Sequence, residues 1–496
     1  MAMQRKHASF LSRFSMSTEA AGLDSILQAA QAAQAPWAAR PISERLKPIA
    51  ALRARLAHDP AELAGIVARE IGKSPFEALA AEVIPTAETC AFLMRRAERI
   101  LAPRREPMRG TMPFSGSALI RHVPWGVVAV LVPWNYPLFL CAASVLNALV
   151  AGNAVVMKAS PRAKETVNAF ARWLYAAGVP RELAPVLDSS DDTGRALVSS
   201  PLIHRIVFTG SSKTGRSVLH AAAENLTPVT LELSGYDAVH ILPGANIELA
   251  AAAVTFGLRL NAGRTCVCPR RVFVDKSIAA PFTSLLSEKL SALELLSPMD
   301  PQTLREADEL AAKLAASGGT SLNARRAGDA LKALVYSGGP ATLAAAQGNF
   351  VPAIVVASVD SPDAGVKLDA ASRYALGASI FAASNAAALE FSKKLPPGMI
   401  AVNECIMPAG EAALPFGGAN ESGYGVRSGV EGLLEMARPQ TLSFARGSFR
   451  PHHLAGPETT DLLRALLRAR HAAGIAARVK GWVDYGIETV KWLKKR

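Results

Sequence analysis

The stretch from Trp125 to Met157 contains no charged residue. Such a run can be a membrane span or chain buried in a protein core. A span needs about 20 continuous apolar residues, with every backbone polar group satisfied inside the segment. Here Pro133, Asn135, Pro137, Asn147, Gly152 and Asn153 interrupt the run. The pattern therefore predicts a buried strand at Val127–Val132, a loop, a helix over Leu138–Ala151 and a second strand at Ala154–Met157.

The alternation continues downstream. Ala163–Ala177 and Ser212–Ala223 read as helices, and Ala184–Leu187 and Ile206–Phe208 as strands. Strands alternating with helices of this length imply a parallel sheet covered on both faces. Ligands of such sheets bind beyond the carboxyl ends of the strands, which here carry Trp134-Asn135, Lys158 and Thr209-Gly210-Ser211. A second α/β unit starts near Leu231, with strands expected at Ala238–Leu242, Arg271–Val274, Ala353–Ala357, Ala378–Ala382 and Met399–Val402. Ile278–Leu295 reads as a helix and Asp300–Ala346 as mainly helical and polar. Upstream, Leu27 to Arg105 reads as amphipathic helices, with Leu52 and Leu56 before Pro60 and Leu63, Ile66 and Val67 after it.

The chain has 496 residues, half of them apolar and 19% charged. That is too long for one core and too apolar for a disordered chain. Cys90, Cys141, Cys266, Cys268 and Cys405 are an odd, sparse set, which excludes a disulfide framework and suits a reducing, cytoplasmic setting. Cys266-x-Cys268 has no second pair at zinc spacing, so no metal site is expected. Met1–Met16 carries Arg5, Lys6 and Arg13 without an apolar run behind them, which argues against a secretory signal. The net charge of +13 comes with no nucleic-acid-binding motif, and much of the excess lies in the tail.

Three segments carry candidate chemistry. Asn135, in Pro133-Trp134-Asn135-Tyr136-Pro137, can donate its amide to a developing oxyanion, or simply satisfy its own turn. Glu232, between Leu231 and Leu233, is either an exposed strand residue or a half-buried base with a raised pKa. Cys266, in Asn261-Ala262-Gly263-Arg264-Thr265-Cys266, is either a small buried hydrophobe or a nucleophile. A nucleophile needs a positive setting. Arg264 could supply it or be solvated.

Together these segments resemble the aldehyde dehydrogenase superfamily, from about Ala32 to Ala445. Glu232 and Cys266 are 34 residues apart, as the family's base and nucleophile are. Gly152–Lys158 resembles its first cofactor segment and Phe208–Ser211 its pyrophosphate turn. Gly398–Asn403 and Pro415-Phe416-Gly417-Gly418, followed by Ser422-Gly423, resemble its C-terminal signatures. The resemblance implies oxidation of an aldehyde to the acid with NAD or NADP. Cys266 would be the nucleophile, Glu232 the base and Asn135 the oxyanion donor. Trp134, Lys158, Ser160, Gly210, Ser211, Leu233 and Phe416 would hold the cofactor.

It also implies an α/β fold with a Rossmann-type doubly wound cofactor domain, an α/β catalytic domain and a small oligomerisation element. The expected division is 1–230, 231–425, 426–450 and a tail over 451–496. Ala118–His122 and Gln440–Ala445 are the expected oligomerisation strands of a homodimer or homotetramer. Three departures from the family stand out. Between Pro352 and Tyr374 there is no Glu-x-Phe-Gly-Pro, whose Glu normally holds the nicotinamide ribose. Ser234 and Tyr236 replace the usual Gly and Lys, and Pro161 stands where a cofactor-selecting Glu is common. The first departure predicts weak cofactor binding and keeps open an impaired scaffold or a Cys-dependent esterase.

In the tail, Leu462, Leu463, Leu466 and Leu467 are expected on one helix face among Arg464, Arg468 and Arg470. Trp482, Val483, Ile487, Val490, Trp492 and Leu493 follow with Lys480, Lys491, Lys494, Lys495 and Arg496. Such a segment either lies on an anionic membrane surface or docks on protein.

Overall fold

The computed structural model describes residues 22–108, 116–291, 301–323, 326–327, 330–445, 453 and 456–494. Met1–Met16, the end of the helix expected to reach Leu295, Asp300, Lys495 and Arg496 lie outside the described residues. Two compact units divide the chain: residues 1–102 with 121–440, and residues 103–120 with 441–496.

The first unit contains two largely parallel sheets. The six-stranded sheet runs in the order Gly423–Tyr424, Val229–Glu232, Arg205–Thr209, Val127–Val132, Ala154–Ala159, Val186–Leu187. All neighbours are parallel except the short edge strand Gly423–Tyr424. Val127–Val132 is the first strand in sequence, and its neighbours on either side come second and fourth. The winding reverses there, so a crevice opens beyond its carboxyl end. The uncharged run forms this central strand, the helix Pro137–Ala151 and the strand Ala154–Ala159. Every residue of that helix is buried, which is why its sequence carries no polar face.

The seven-stranded sheet runs Thr320–Ser321, Leu334–Ser337, Ala353–Val359, Pro269–Asp275, Asp237–Ile241, Gly377–Phe381, Met399–Val402. Only the edge pairing of Thr320–Ser321 is antiparallel. The expectation for Asp300–Ala346 needs correction. Pro301–Ala316 is a helix, but Leu334–Ser337 is a buried parallel strand next to Ala353–Val359. A four-residue strand is too short to show a period. Ala353–Val359 leads within two residues into the helix Pro362–Asp369, capped by the Ser361 hydroxyl. The missing Glu-x-Phe-Gly-Pro segment is thus replaced by a tight strand–turn–helix.

Arg104–Pro107, Gly116–Pro124 and Ala437–Ala445 form a three-stranded sheet. The second and third of these contain the two strands expected to build the oligomerisation element; Arg104–Pro107 was not anticipated.

In the second unit, Pro457–His471 and Ile475–Lys494 form a helical hairpin. Its leucines do not share one environment. Leu462 and Leu466 are buried with Ala465 and Tyr485, whereas Leu463 and Leu467 point outward. One partner helix covers only one ridge of its neighbour. Gly481 marks the closest approach, since a Cβ there would meet the Ala469 backbone. Trp492 is also buried, its indole donating to the Thr459 hydroxyl at 3.2 Å.

Candidate active site

The crevice at the strand ends of the first unit is a cleft of about 1000 Å³. Eight of the ten expected site residues line it: Trp134, Asn135, Lys158, Ser160, Gly210, Ser211, Leu233 and Cys266. Glu232 and Phe416 do not. Glu232 ends its strand as a buried residue just behind the cleft wall. Phe416 is buried in the apolar cluster on which Cys266 packs.

The binding half of the cleft follows from the backbone. The Ser211 hydroxyl caps the helix Ser212–Ala223 through Thr214 N–H at 3.1 Å. A helix N-terminus with free amides beside a glycine suits a pyrophosphate. A Cβ at Gly210 would lie 2.5 Å from the Phe208 ring, so only glycine lets this turn close down. Lys158 is nearly buried at the end of its strand, with Asp188 and Asp191 in its field. Arg162 lies 3.7 Å over the Trp134 ring, and Phe350 meets that ring edge-on at 5.9 Å. Gln302, Thr303, Glu306 and Gly348 line the same cleft, and none of them was anticipated.

Cys266 follows a strained turn in which Asn261, Ala262 and Gly263 have φ values of 49°, 50° and 72°. Such left-handed residues persist only where their surroundings hold them. A Cβ at Gly263 would stand 2.6 Å from Pro352 Cα, so glycine is required. Arg270 clamps the turn, donating to Gly263 O at 2.8 Å and to Val351 O at 2.6 Å. Asn261 donates to Asn135 O at 3.0 Å, and the Asn135 amide donates to Arg264 O at 3.2 Å. Tyr136 and Thr265 share a hydroxyl contact of 2.6 Å. The oxyanion loop and the cysteine loop are therefore tied together at three points.

The oxyanion loop is fixed from its other side as well. Glu82 accepts from the Leu138 and Phe139 amides at 3.0 and 2.8 Å, capping the helix that follows Asn135. Lys73 pairs with Glu82 at 2.5 Å and lies 3.6 Å over the Tyr136 ring.

Cys266 is partly exposed, while Cys268 is fully buried and outside the cleft. Burial pushes the Cys266 thiol up to about 12, against the opposing pull of Arg427. Arg264 was expected either to favour the thiolate or to be solvated. Instead Arg264 is buried, donating to Asn261 O at 3.1 Å and lying 5.4 Å over Trp134. Arg427 takes that role. It stands 3.1 Å from Glu232, whose pKa is raised by burial and drawn back by this ion pair. No motif reading singled out Arg427, because it belongs to a C-terminal segment remote in sequence from both partners.

The model of the aldehyde dehydrogenase family matches residues 5–442. The chain is 32% identical over 423 residues to the 4,4'-diapolycopene aldehyde oxidase of Methylomonas sp, covering 81% of this chain and 78% of that protein. It is similar to the crystal structure of Mycobacterium tuberculosis aldehyde dehydrogenase complexed with NAD+. The TM-score is 0.81 at 26% identity, covering 87% of this chain and 92% of the other. It is also similar to NADP-dependent glyceraldehyde-3-phosphate dehydrogenase from Bacillus halodurans complexed with NADP, with TM-score 0.79 and 28% identity, covering 86% and 91%.

Proposed function

The chain belongs to the aldehyde dehydrogenase family, and from that membership we propose that it oxidises an aldehyde to the carboxylic acid with NAD or NADP, through Cys266. The observation that carries the reading is the partly exposed Cys266 in the same cleft as Asn135, Lys158 and the Gly210-Ser211 helix start. The Cys266 thiolate adds to the aldehyde carbon. Asn135 turns its amide from Arg264 O to the new oxyanion, joined by the Cys266 N–H; one such donor is typically worth about 3–4 kcal/mol. A nicotinamide held in the cleft would accept the hydride given up by the adduct's carbon, leaving a thioester on Cys266. Glu232 takes a proton from water, which attacks the thioester and releases the acid and the thiol.

For the cofactor, Lys158, Ser160 and Leu233 are the proposed adenosine contacts and Gly210-Ser211 the pyrophosphate cradle. Phe416 remains part of this reading as the expected cofactor contact; it does not line the cleft and packs against the Arg427 guanidinium at 4.8 Å. Glu306 and Gln302 supply polar groups to a cleft that lacks the family's ribose-holding Glu. A non-catalytic scaffold would need neither the strained cysteine turn nor its triple tie to the oxyanion loop. The test is a panel of aldehydes with NAD and with NADP, read as reduced nicotinamide, beside p-nitrophenyl ester cleavage. Ester cleavage with no reduced nicotinamide from any aldehyde would leave an esterase in place of a dehydrogenase.

Assembly as a homodimer or homotetramer through the three-stranded sheet is part of this reading. So are a cytoplasmic setting, suited to five free cysteines, and contact of the hairpin with anionic lipid. Among the described residues no helix is long and apolar enough to cross a membrane.

A further inference from the structure

We propose, on the reading that Cys266 and Glu232 are nucleophile and base, that Arg427 is the positioning residue of this site, a fixed cation that holds the Glu232 carboxylate behind the cleft wall and serves the Cys266 thiolate at the same time. Arg427 Nε stands 3.1 Å from Glu232 Oε2, with side-chain exposures of 3% and 4%. The guanidinium is confined between the Phe139 and Phe416 rings, at 5.0 and 4.8 Å from their centres. Its backbone is pinned on both sides. The Arg427 N–H donates to Phe416 O at 2.9 Å, and the Arg427 carbonyl accepts from the Asn147 amide at 3.0 Å. This arginine cannot swing out to water.

Glu232 is held differently. Its second oxygen, Oε1, is buried and takes no hydrogen bond among the described residues; Arg427 Nε and Nη1 make none either, so the contact with Oε2 is an ion pair and not an aligned hydrogen bond. A carboxylate paired through one oxygen only can turn about its own side chain while the arginine stays in place. The pair is thus a fixed cation and a hinged anion, with the anion one residue from Leu233, which lines the cleft. In the resting site Glu232 faces Arg427 rather than Cys266. To reach a water at the thioester it has to leave the ion pair, and the freed guanidinium then offers its full charge to Cys266.

The groups that act on Cys266 are few. Arg427 favours the thiolate, helped by the Val267 N–H, while Asp237 and Glu232 oppose it. Tyr136, bonded to Thr265 next in the chain, also shares a field with Cys266. Glu232 meets one charged group, Arg427.

The experiment is alkylation of Cys266 by iodoacetamide across pH. It uses the full chain without aldehyde or cofactor, and the modified site is read by mass spectrometry. Arg427→Gln should move the profile to higher pH and slow alkylation at mildly alkaline pH about tenfold, the equivalent of one pH unit. Glu232→Gln should move it the other way, because a negative charge is removed. Arg427→Lys should recover most of the rate. If Arg427→Gln fails to fold with its carboxylate unpaired, the double variant Glu232→Gln/Arg427→Gln carries the test: its profile should lie at higher pH than that of Glu232→Gln alone. A wild-type profile in folded Arg427→Gln overturns the proposal, as does coincidence of the double variant with Glu232→Gln. The alkylation needs no substrate. Failure of every aldehyde in the panel would sink the dehydrogenase reading and leave this measurement unaffected.

Discussion

At the scale of single residues, the site depends on groups whose charge is set by burial. Cys266, pushed up to about 12 by burial, is a protonated thiol at neutral pH. The sign follows directly: the reactive thiolate fraction grows as pH rises through the whole working range, so alkylation of the free protein should climb about tenfold per pH unit with no plateau below pH 9 or so. A plateau near pH 7 would mean a far stronger cation field than Arg427 provides. Cys266→Ala should abolish aldehyde oxidation while Cys268→Ala keeps most of it, because Cys268 is buried with its thiol directed at Gly257 O. Full activity in the Cys266 variant would end the covalent mechanism. Glu232→Gln should give a burst of reduced nicotinamide followed by a slow steady state, since loss of the carboxylate's charge eases formation of the Cys266 thiolate while hydrolysis of the thioester loses its base; unchanged turnover under saturating cofactor would remove Glu232 from the role. Cys266, Asn135 and Glu232 were legible in the sequence because each sits in a short local motif. Arg427, Arg270 and Glu82 were not, because what makes them matter is contact across long sequence separations, which one sequence does not display.

At the scale of elements, what a strand or helix buries decides how well it can be read beforehand. Val127–Val132 and Met399–Val402 appear with the expected bounds: the first because apolar, β-branched residues bury both faces of a central parallel strand, the second, an edge strand with Val402 exposed, because it is a short apolar run with clear ends. Leu334–Ser337 escaped notice because four residues amid polar chain carry too little pattern. The missing Glu-x-Phe-Gly-Pro segment was read correctly as an absence, but what stands in its place was not. Ala353–Val359 passes straight into Pro362–Asp369, while Pro301–Ala316 turns Gln302, Thr303 and Glu306 into the cleft. Gln302 donates to the Glu306 carboxylate at 2.9 Å, which fixes an exposed side chain in the lining of the cleft. Glu306→Gln should therefore weaken cofactor binding about tenfold, or about 1.4 kcal/mol, as titrated by cofactor fluorescence on the purified protein. A charged hydrogen bond can contribute about 1.5–3 kcal/mol, and solvent exposure argues for the low end. An unchanged dissociation constant would exclude Glu306 from the cofactor's polar contacts. A constant of about 1 μM or tighter for the wild type would show that the lost Glu has been replaced, by Glu306 or by another group.

At the scale of the whole molecule, the excess of 13 positive charges is unevenly placed. Between Glu458 and Arg496 nine Lys and Arg stand against four acidic residues. The family match ends at residue 442, so the helical hairpin lies outside what the family's chemistry requires. The hairpin satisfies its inner face by itself, through Leu462, Leu466, Tyr485 and Trp492. Its outer face does not look like that of an isolated soluble hairpin: Ile475, Val479, Trp482, Val483, Ile487, Val490 and Leu493 recur at helical spacing, all exposed. An apolar stripe with basic flanks matches an anionic bilayer surface in both respects. Full-length protein is expected to sediment with vesicles containing anionic lipid, and protein lacking Glu458–Arg496 to stay in the supernatant with its aldehyde chemistry intact. Each Lys or Arg at such a surface contributes about 1 kcal/mol, and salt screens that part. Burial of the apolar stripe does not respond to salt in the same way, so raising salt should weaken sedimentation without abolishing it. Binding that vanishes completely with salt would mean that the stripe stays out of the lipid and only the charges engage. Should the full-length protein remain in the supernatant at low salt, the stripe is covered by protein instead. A truncated form with a smaller oligomeric size would then identify a second copy of this chain as what covers it.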